Sequence, residues 1–203
     1  MNPTRAEEAQ LYSQGVELVA GVDEVGRGAL AGPVVAGAVI FASSLKAPWE
    51  RLVRDSQELR PRQREGLVGL IRGEALAWGL GEVPAQEIDR IGILPATRLA
   101  MRQALEALGV SPQFLLIDGI KLPEVPLPQK HLIRGDKLCF SIACASILAK
   151  VYRDGLMVGL DREYPGYGFA RHKGYGTALH CRCLLERGPC PLHRRSFAPL
   201  RTL

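Results

Sequence analysis

The chain predicts an α/β domain: a mixed five-stranded sheet flanked by helices, with a basic helical segment at its C-terminal end. Three observations predict it. Two apolar strand patterns come first, separated by little more than a glycine-rich turn. Strand and helix patterns then alternate. Three of the strand patterns run directly into carboxylates. Early strands followed by alternation indicate one sheet with both parallel and antiparallel neighbours, and open sheets of this class build their sites beyond the carboxyl ends of strands.

Residues 18–22 and 33–41 read as strands, the second an unbroken apolar run suited to a buried position. The short turn between them predicts antiparallel pairing. Residues 54–60 read as a polar loop and 61–72 as a helix with proline in its first turn. Residues 75–83 form a third strand pattern despite two glycines. In 95–108, Leu99, Ala100, Gln103 and Ala104 trace one helical face, which Gly109 terminates. Residues 114–117 and 130–133 are short strand patterns, the first leading into Asp118 and the second into Arg134-Gly135-Asp136. A long helix is expected over 141–160 and a shorter one over 177–187, closed by Gly188-Pro189. There is no internal repeat, so residues 1–203 are expected to form one domain whose segment from about 160 to 203 holds substrate.

A length of 203 residues with 47% hydrophobic content allows one substantial core. No apolar run approaches the ~20 residues of a membrane span, and the polar N-terminus with Glu7 and Glu8 is unlike a secretory signal. Five cysteines without a regular framework fit a reducing compartment. A soluble, cytoplasmic monomer is expected. The net charge of +5 is concentrated: residues 171–203 hold seven Lys or Arg against one acid, Glu186, and include His172, His180 and His193. Such a face suits a phosphate backbone, and interleaved aromatics argue against a merely solvated tail.

Asp23 and Glu24 end the first strand pattern, and Gly26-Arg27-Gly28 follows at once. Neighbouring carboxylates repel unless a cation lies between them, which points to a hard divalent metal with oxygen ligands. Glycines at 26 and 28 permit close backbone approach, and Arg27 brings a fixed positive charge. Asp118 and Asp136 can converge on the same point. Asp154, near Arg153 and one turn from Lys150, reads more simply as a structural ion pair. The three histidines read as packed or solvated sooner than as phosphate contacts. A zinc set from His180, Cys181, Cys183, Cys190 and His193 is disfavoured, because Cys181 and Cys183 lie ~200° apart around a helix.

Five stretches carry a family resemblance. Gly21-Val22-Asp23-Glu24-Val25-Gly26-Arg27-Gly28 with Leu30-Ala31-Gly32-Pro33-Val34-Val35-Ala36 resembles the signature of bacterial ribonuclease HII. Ile117-Asp118-Gly119-Ile120-Lys121-Leu122-Pro123 is similar to its second acidic motif. The stretch from Arg134-Gly135-Asp136 through Ser146-Ile147-Leu148-Ala149-Lys150-Val151-Tyr152-Arg153-Asp154 is similar to its third block. Tyr164-Pro165-Gly166-Tyr167-Gly168-Phe169-Ala170-Arg171-His172-Lys173-Gly174-Tyr175 and Pro191-Leu192-His193-Arg194-Arg195-Ser196-Phe197 resemble its C-terminal motifs.

The resemblance spans about residues 18–199 and implies a ribonuclease-H-like fold. It implies endonucleolytic cleavage of RNA in RNA–DNA hybrids and incision at single ribonucleotides in duplex DNA, leaving 3′-hydroxyl and 5′-phosphate ends. It implies that Asp23, Glu24, Asp118 and Asp136 are the catalytic acids and hold two Mg²⁺ or Mn²⁺ ions ~4 Å apart. The Gly26-Arg27-Gly28 turn would read the ribose 2′-hydroxyl, and Tyr175 would sense the substrate. Arg194 and Arg195 are the expected phosphate contacts of the basic segment. The chain departs from the family pattern at Gln57, where lysine is usual, at Ile120, where asparagine is common, and at Tyr152, where threonine is common. Two other readings are a hybrid-binding module without catalysis and a nuclease acting on DNA junctions. Neither accounts for both the clustered acids and the glycine turn.

Overall fold

The computed structural model describes residues 2–202. Its sheet has five strands in the order β3-β2-β1-β4-β5. They are β1 (Val19–Val25), β2 (Val34–Ile40), β3 (Ala77–Val83), β4 (Phe114–Asp118) and β5 (Gln129–Leu132). β1 and β2 pair antiparallel, with Asp23 opposite Gly37, and β2 pairs antiparallel with β3. β4 runs parallel to β1, with Val22 opposite Ile117, and β5 runs parallel to β4. The mixed α/β architecture expected from the sequence is therefore the one observed.

Side-chain alternation along β1 feeds two cores. Ala20 and Val22 pack with Val34, Ala36 and Leu115 beneath helix α4 (Ile93–Glu106), which contributes Ala96, Ala100, Met101 and Ala104. Val19 faces the other way, against Ile142 of α6 (Phe140–Glu163). A second group, including Trp49, Leu67, Ile71, Phe140 and Ile147, joins α6 to α2 (Pro61–Glu74). Gly21 and Gly37 let α6 lie directly on the central strands: a methyl group at 21 would collide with Ser141 and one at 37 with the carbonyl of Ala145. Both sheet faces are thus covered, and the open end of the central strands is left for chemistry.

Several elements differ from expectation. α1 (Ala6–Ser13) and α3 (Ala85–Ile91) were not anticipated, because both are short and too polar for a periodic apolar face to stand out. α4 begins at Ile93 and not at Pro95, since a proline anywhere in the first turn costs no intrahelical bond. Asp136 sits in the first turn of a short helix, α5 (Gly135–Leu138), a few residues beyond β5. The C-terminal segment contains α7 (Phe169–His172) and α8 (Ala178–Arg187). Thr177 caps α8, its hydroxyl oxygen accepting from His180 N at 3.3 Å. Among the described residues, no helix is long and apolar enough to cross a membrane.

Candidate active site

β1 delivers Asp23 and Glu24 to the open end of the sheet, and the parallel register with β4 brings Asp118 alongside. Asp118 Oδ1 accepts from Gly135 N at 2.5 Å, which fixes the start of α5 and with it Asp136. These four carboxylates line one cavity of about 620 Å³. Gly26, Arg27, Gly28 and Tyr175 line the same cavity, so the structure brings together every expected acid, the glycine turn and the expected sensing tyrosine.

The acids are held in an environment that opposes their charge. Burial, reinforced by Glu24 and Asp118, raises Asp23 well above the usual carboxylate range. Burial also raises Glu24, although Arg27 opposes the shift with an ion pair from Nη1 to Oε1 at 3.0 Å. Asp118 is raised by burial against the pull of the Gly135 amide. Asp136 is pushed up to about 6 by burial and by Asp55 and Asp118. Glu24 Oε2 is buried and has no hydrogen-bond partner. A buried oxygen without a partner calls for an explanation, and hard oxygen donors that destabilise one another fit a divalent cation. Among the described residues, no three His, Cys, Asp or Glu side chains already stand close enough to enclose an ion.

The two turn glycines do different work. Gly26 has φ +91, and a methyl group there would collide with the guanidinium of Arg153, so this glycine is required by packing inside the protein. Gly28 is exposed and has open space where a side chain would stand, which leaves its backbone bare to the cavity. Tyr175 is half-buried, with the Arg153 guanidinium 5.5 Å and the Lys150 ammonium 6.0 Å from its ring centre.

One expected contact is corrected. Arg194 is fully buried and cannot meet a phosphate at the surface. Its Nε and Nη2 donate to Gly32 O at 3.0 and 2.9 Å, and Nη1 donates to Arg27 O at 2.9 Å. Counting charges along the sequence treated it as surface, whereas the carbonyls of the folded turn need its donors. Arg195 is exposed, its backbone amide tied to Asp89 at 2.8 Å. The three histidines are packed: His172 and His180 stack with centres 4.3 Å apart, and His180 Nε2 lies 3.0 Å from His193 Nε2. Asp154 is the structural ion pair expected of it, bound by Lys150 at 2.8 Å and additionally by Arg64 at 3.4 Å.

Sequence reasoning missed four residues at the cavity. Ser56 and Ser146 line it and share a hydrogen bond at 2.9 Å, and Lys150 and Arg64 also face it. Asp55, held by Lys137 at 3.2 Å, adds a further buried acid beside Asp136. The Asp55-Ser56 pair in the polar loop of residues 54–60 was the available signal. Gln57 reaches the cavity where the family pattern would place lysine. Ile120 packs against the core and Tyr152 lies on the surface, so neither departure touches the acids.

Comparison with known proteins identifies the family and the fold. Residues 20–200 match the sequence model of the family described as Ribonuclease HII. The chain is similar to Ribonuclease HII of Dehalococcoides mccartyi strain BAV1, at 59% identity over 98% of this chain and 94% of that protein. It is also similar to Ribonuclease HII of Roseiflexus castenholzii, at 52% identity over 98% of this chain and 89% of that protein. Among solved structures, ribonuclease H2 from Pyrococcus horikoshii OT3 superposes with a TM-score of 0.74 and 26% identity, covering 91% of this chain and 96% of that one. A family match over most of the sequence, relatives above half identity and a shared ribonuclease-H-like fold place the chain in the ribonuclease HII family, endonucleases of the ribonuclease H type that act on RNA–DNA hybrids.

Proposed function

We propose that the chain is a divalent-metal-dependent endonuclease that cuts the RNA strand of hybrids and also incises duplex DNA at single embedded ribonucleotides. One observation carries the reading. Four mutually destabilised carboxylates, one with a buried oxygen lacking any partner, share a cavity with a glycine turn whose backbone is bare at Gly28. Asp23, Glu24, Asp118 and Asp136 would hold Mg²⁺ or Mn²⁺, which when bound supplies Lewis-acid stabilisation of the charge developing on the scissile phosphate. In the reaction, water adds to phosphorus and the bond from phosphorus to the 3′-oxygen breaks, leaving 3′-hydroxyl and 5′-phosphate ends.

The chain's own residues orient this event. Arg27 fixes one oxygen of Glu24, leaving Oε2 turned to the buried side. The bare backbone at Gly28, in the turn that Gly26 begins, meets the 2′-hydroxyl, which both donates and accepts and so distinguishes ribose from deoxyribose. Tyr175 packs its ring on the neighbouring deoxyribose and crowds out a 2′-hydroxyl there. Arg195 and the other exposed arginines of residues 160–203 take phosphates of the duplex. The enzyme works in the cytoplasm as a monomer and a single domain.

Three end-labelled duplexes test the reading: a hybrid, a DNA duplex with one ribonucleotide, and an all-DNA duplex, each with Mg²⁺, with Mn²⁺ and with chelator. Cleavage of the first two alone, abolished by chelator, is expected. Cutting of all-DNA duplex at a comparable rate would favour a junction-type nuclease. Gel retention without any metal-dependent cut would leave only a binding module.

A further inference from the structure

Behind the turn that lines the cavity lies a buried arginine that no part of the proposed reaction uses. Arg153, on α6, is 0% exposed and, among the described residues, faces no carboxylate within ion-pair distance. Its donors go to three backbone carbonyls in two separate segments. Nε donates to Pro33 O at 2.8 Å and Nη2 to Ala31 O at 3.1 Å, both at the end of the glycine turn. Nη1 donates to Lys173 O at 2.9 Å, two residues before Tyr175. The same guanidinium fills the space that Gly26 leaves by lacking a side chain, and lies 5.5 Å from the centre of the Tyr175 ring. Above it the two segments touch directly, since Leu30 N and Ala31 N both donate to Gly174 O, at 2.8 and 3.2 Å.

A buried guanidinium without a counter-ion is costly unless its donors are satisfied. Here they are satisfied by the very segments that carry the two sugar-facing elements. The planar fork fixes directions as well as distances, which a single ammonium cannot do. Arg194 makes a useful contrast: its three bonds all go to the turn, at Arg27 O and Gly32 O, and none reaches the Tyr175 segment.

We propose that Arg153 is a positioning residue for sugar discrimination, locking the Gly26-Arg27-Gly28 turn and Tyr175 at a fixed separation so that the pair reads a ribose followed by a deoxyribose. This rests on the function proposed above. A hybrid tract needs the turn alone, because the sugar after the cut is also a ribose. A single embedded ribonucleotide needs both elements in register. Arg153 thereby governs preference between the two substrates, while Arg194 governs the turn and hence both substrates alike.

The test uses Arg153→Lys, Arg153→Gln and Arg194→Lys, with steady-state kinetics on the hybrid and on the one-ribonucleotide duplex and melting temperature in parallel. In both Arg153 variants, the ratio of kcat on the single ribonucleotide to kcat on the hybrid is expected to fall about tenfold, the order expected when a group is displaced by a fraction of an ångström. KM should stay within about twofold, because the phosphate contacts are untouched. Arg194→Lys should lower both cleavages by similar factors and leave the ratio in place. An unchanged ratio in the Arg153 variants, or an equal shift in Arg194→Lys, overturns the positioning role and assigns Arg153 to general stability. Should the Arg153 variants melt below the assay temperature, Gly174→Ala takes their place. It keeps Arg153 but forces a methyl group against the Ala31 carbonyl, loosening the same link. The same fall in ratio is expected there, and a wild-type ratio would be equally fatal. Failure of the wild-type protein to cut the one-ribonucleotide duplex overturns the function and the positioning role together, whereas an active wild type with indifferent variants removes only the second.

Discussion

Asp23 and Arg194 are 4% and 0% exposed, and each has like charges for neighbours. Burial moves both against ionisation: Asp23 rises, with Glu24 and Asp118 adding to the shift, and Arg194 falls to about 9, with Arg153 adding to it. The difference lies in what answers the charge. Arg194 and Arg153 spend their donors on carbonyls of the turn and the Tyr175 segment. The acids find few donors inside the protein, and Glu24 Oε2 finds none. The two arginines are thus answered from within the fold, whereas at the cavity Glu24 Oε2 is left without a donor.

The comparison can be broken most severely at Asp23. Asp23→Asn is expected to lower cleavage by roughly 10²–10³-fold, the scale of losing one preorganised electrostatic group. Without metal its melting temperature should stay level or rise, because a repelling charge is gone. Mg²⁺ or Mn²⁺ should raise the wild-type melting temperature by mass action and do so less in the variant. Near-native turnover of Asp23→Asn would dissolve the acidic half of the comparison.

Arg194→Ala should behave in the opposite way, destabilising the protein by roughly 2–4 kcal/mol through carbonyls stripped of their donors. Urea titration reads this directly, and a stability matching wild type would return Arg194 to the surface role that the sequence suggested. A smaller effect belongs to Tyr175, where stacking on a nucleotide is worth ~1–3 kcal/mol. Tyr175→Ala should lose one to two decades of single-turnover rate on the one-ribonucleotide duplex at an unchanged melting temperature, and Tyr175→Phe should keep most of the rate. Equal loss in the two would move the role from ring to hydroxyl.

The histidine stack gives a pH test. Burial, with repulsion from His180, lowers His193 to about 4 from an ordinary 6.5. Its stabilising contribution is therefore complete above about 6.5 and is lost as pH falls towards 4, since the unfolded chain takes up the proton first. Melting temperature should fall across that window, and His193→Asn should flatten the fall. The smallest effect is expected at Arg195. Arg195→Ala should leave stability alone and reduce the log–log salt slope of duplex binding by ~0.9. An unchanged slope would remove it from the substrate track.

What was legible in the sequence was local. β2 is buried throughout, so its unbroken apolar run could only be a covered strand. The acids at the ends of β1 and β4 stand directly beside their strands, and one parallel register brings them together. What was illegible depended on distant partners. Glu8 on α1 is buried because Ser141 N donates to it at 2.8 Å, a contact across 133 positions that no window of residues reveals. Arg194 is buried through a turn 162 positions earlier, and Asp55 joins the acids only because a loop folds over α5. Gly26 was rightly marked as a position needing glycine, yet its crowding comes from Arg153 and not from a ligand.

The pairing of residues 30–32 with residues 192–194 has a consequence for the order in which the protein is made. Leu192 O accepts from Gly32 N, Leu30 O accepts from Arg194 N, and Ala31 bridges to His193. A ribosome releases the glycine turn early and its clamp some 160 residues later, so a nascent chain carries the four acids and all five strands before this pairing can form. On the function proposed above, selectivity for ribose would then be completed late in synthesis. A chain stalled near residue 180 would hold the four carboxylates beside a turn that lacks its pairing with residues 192–194.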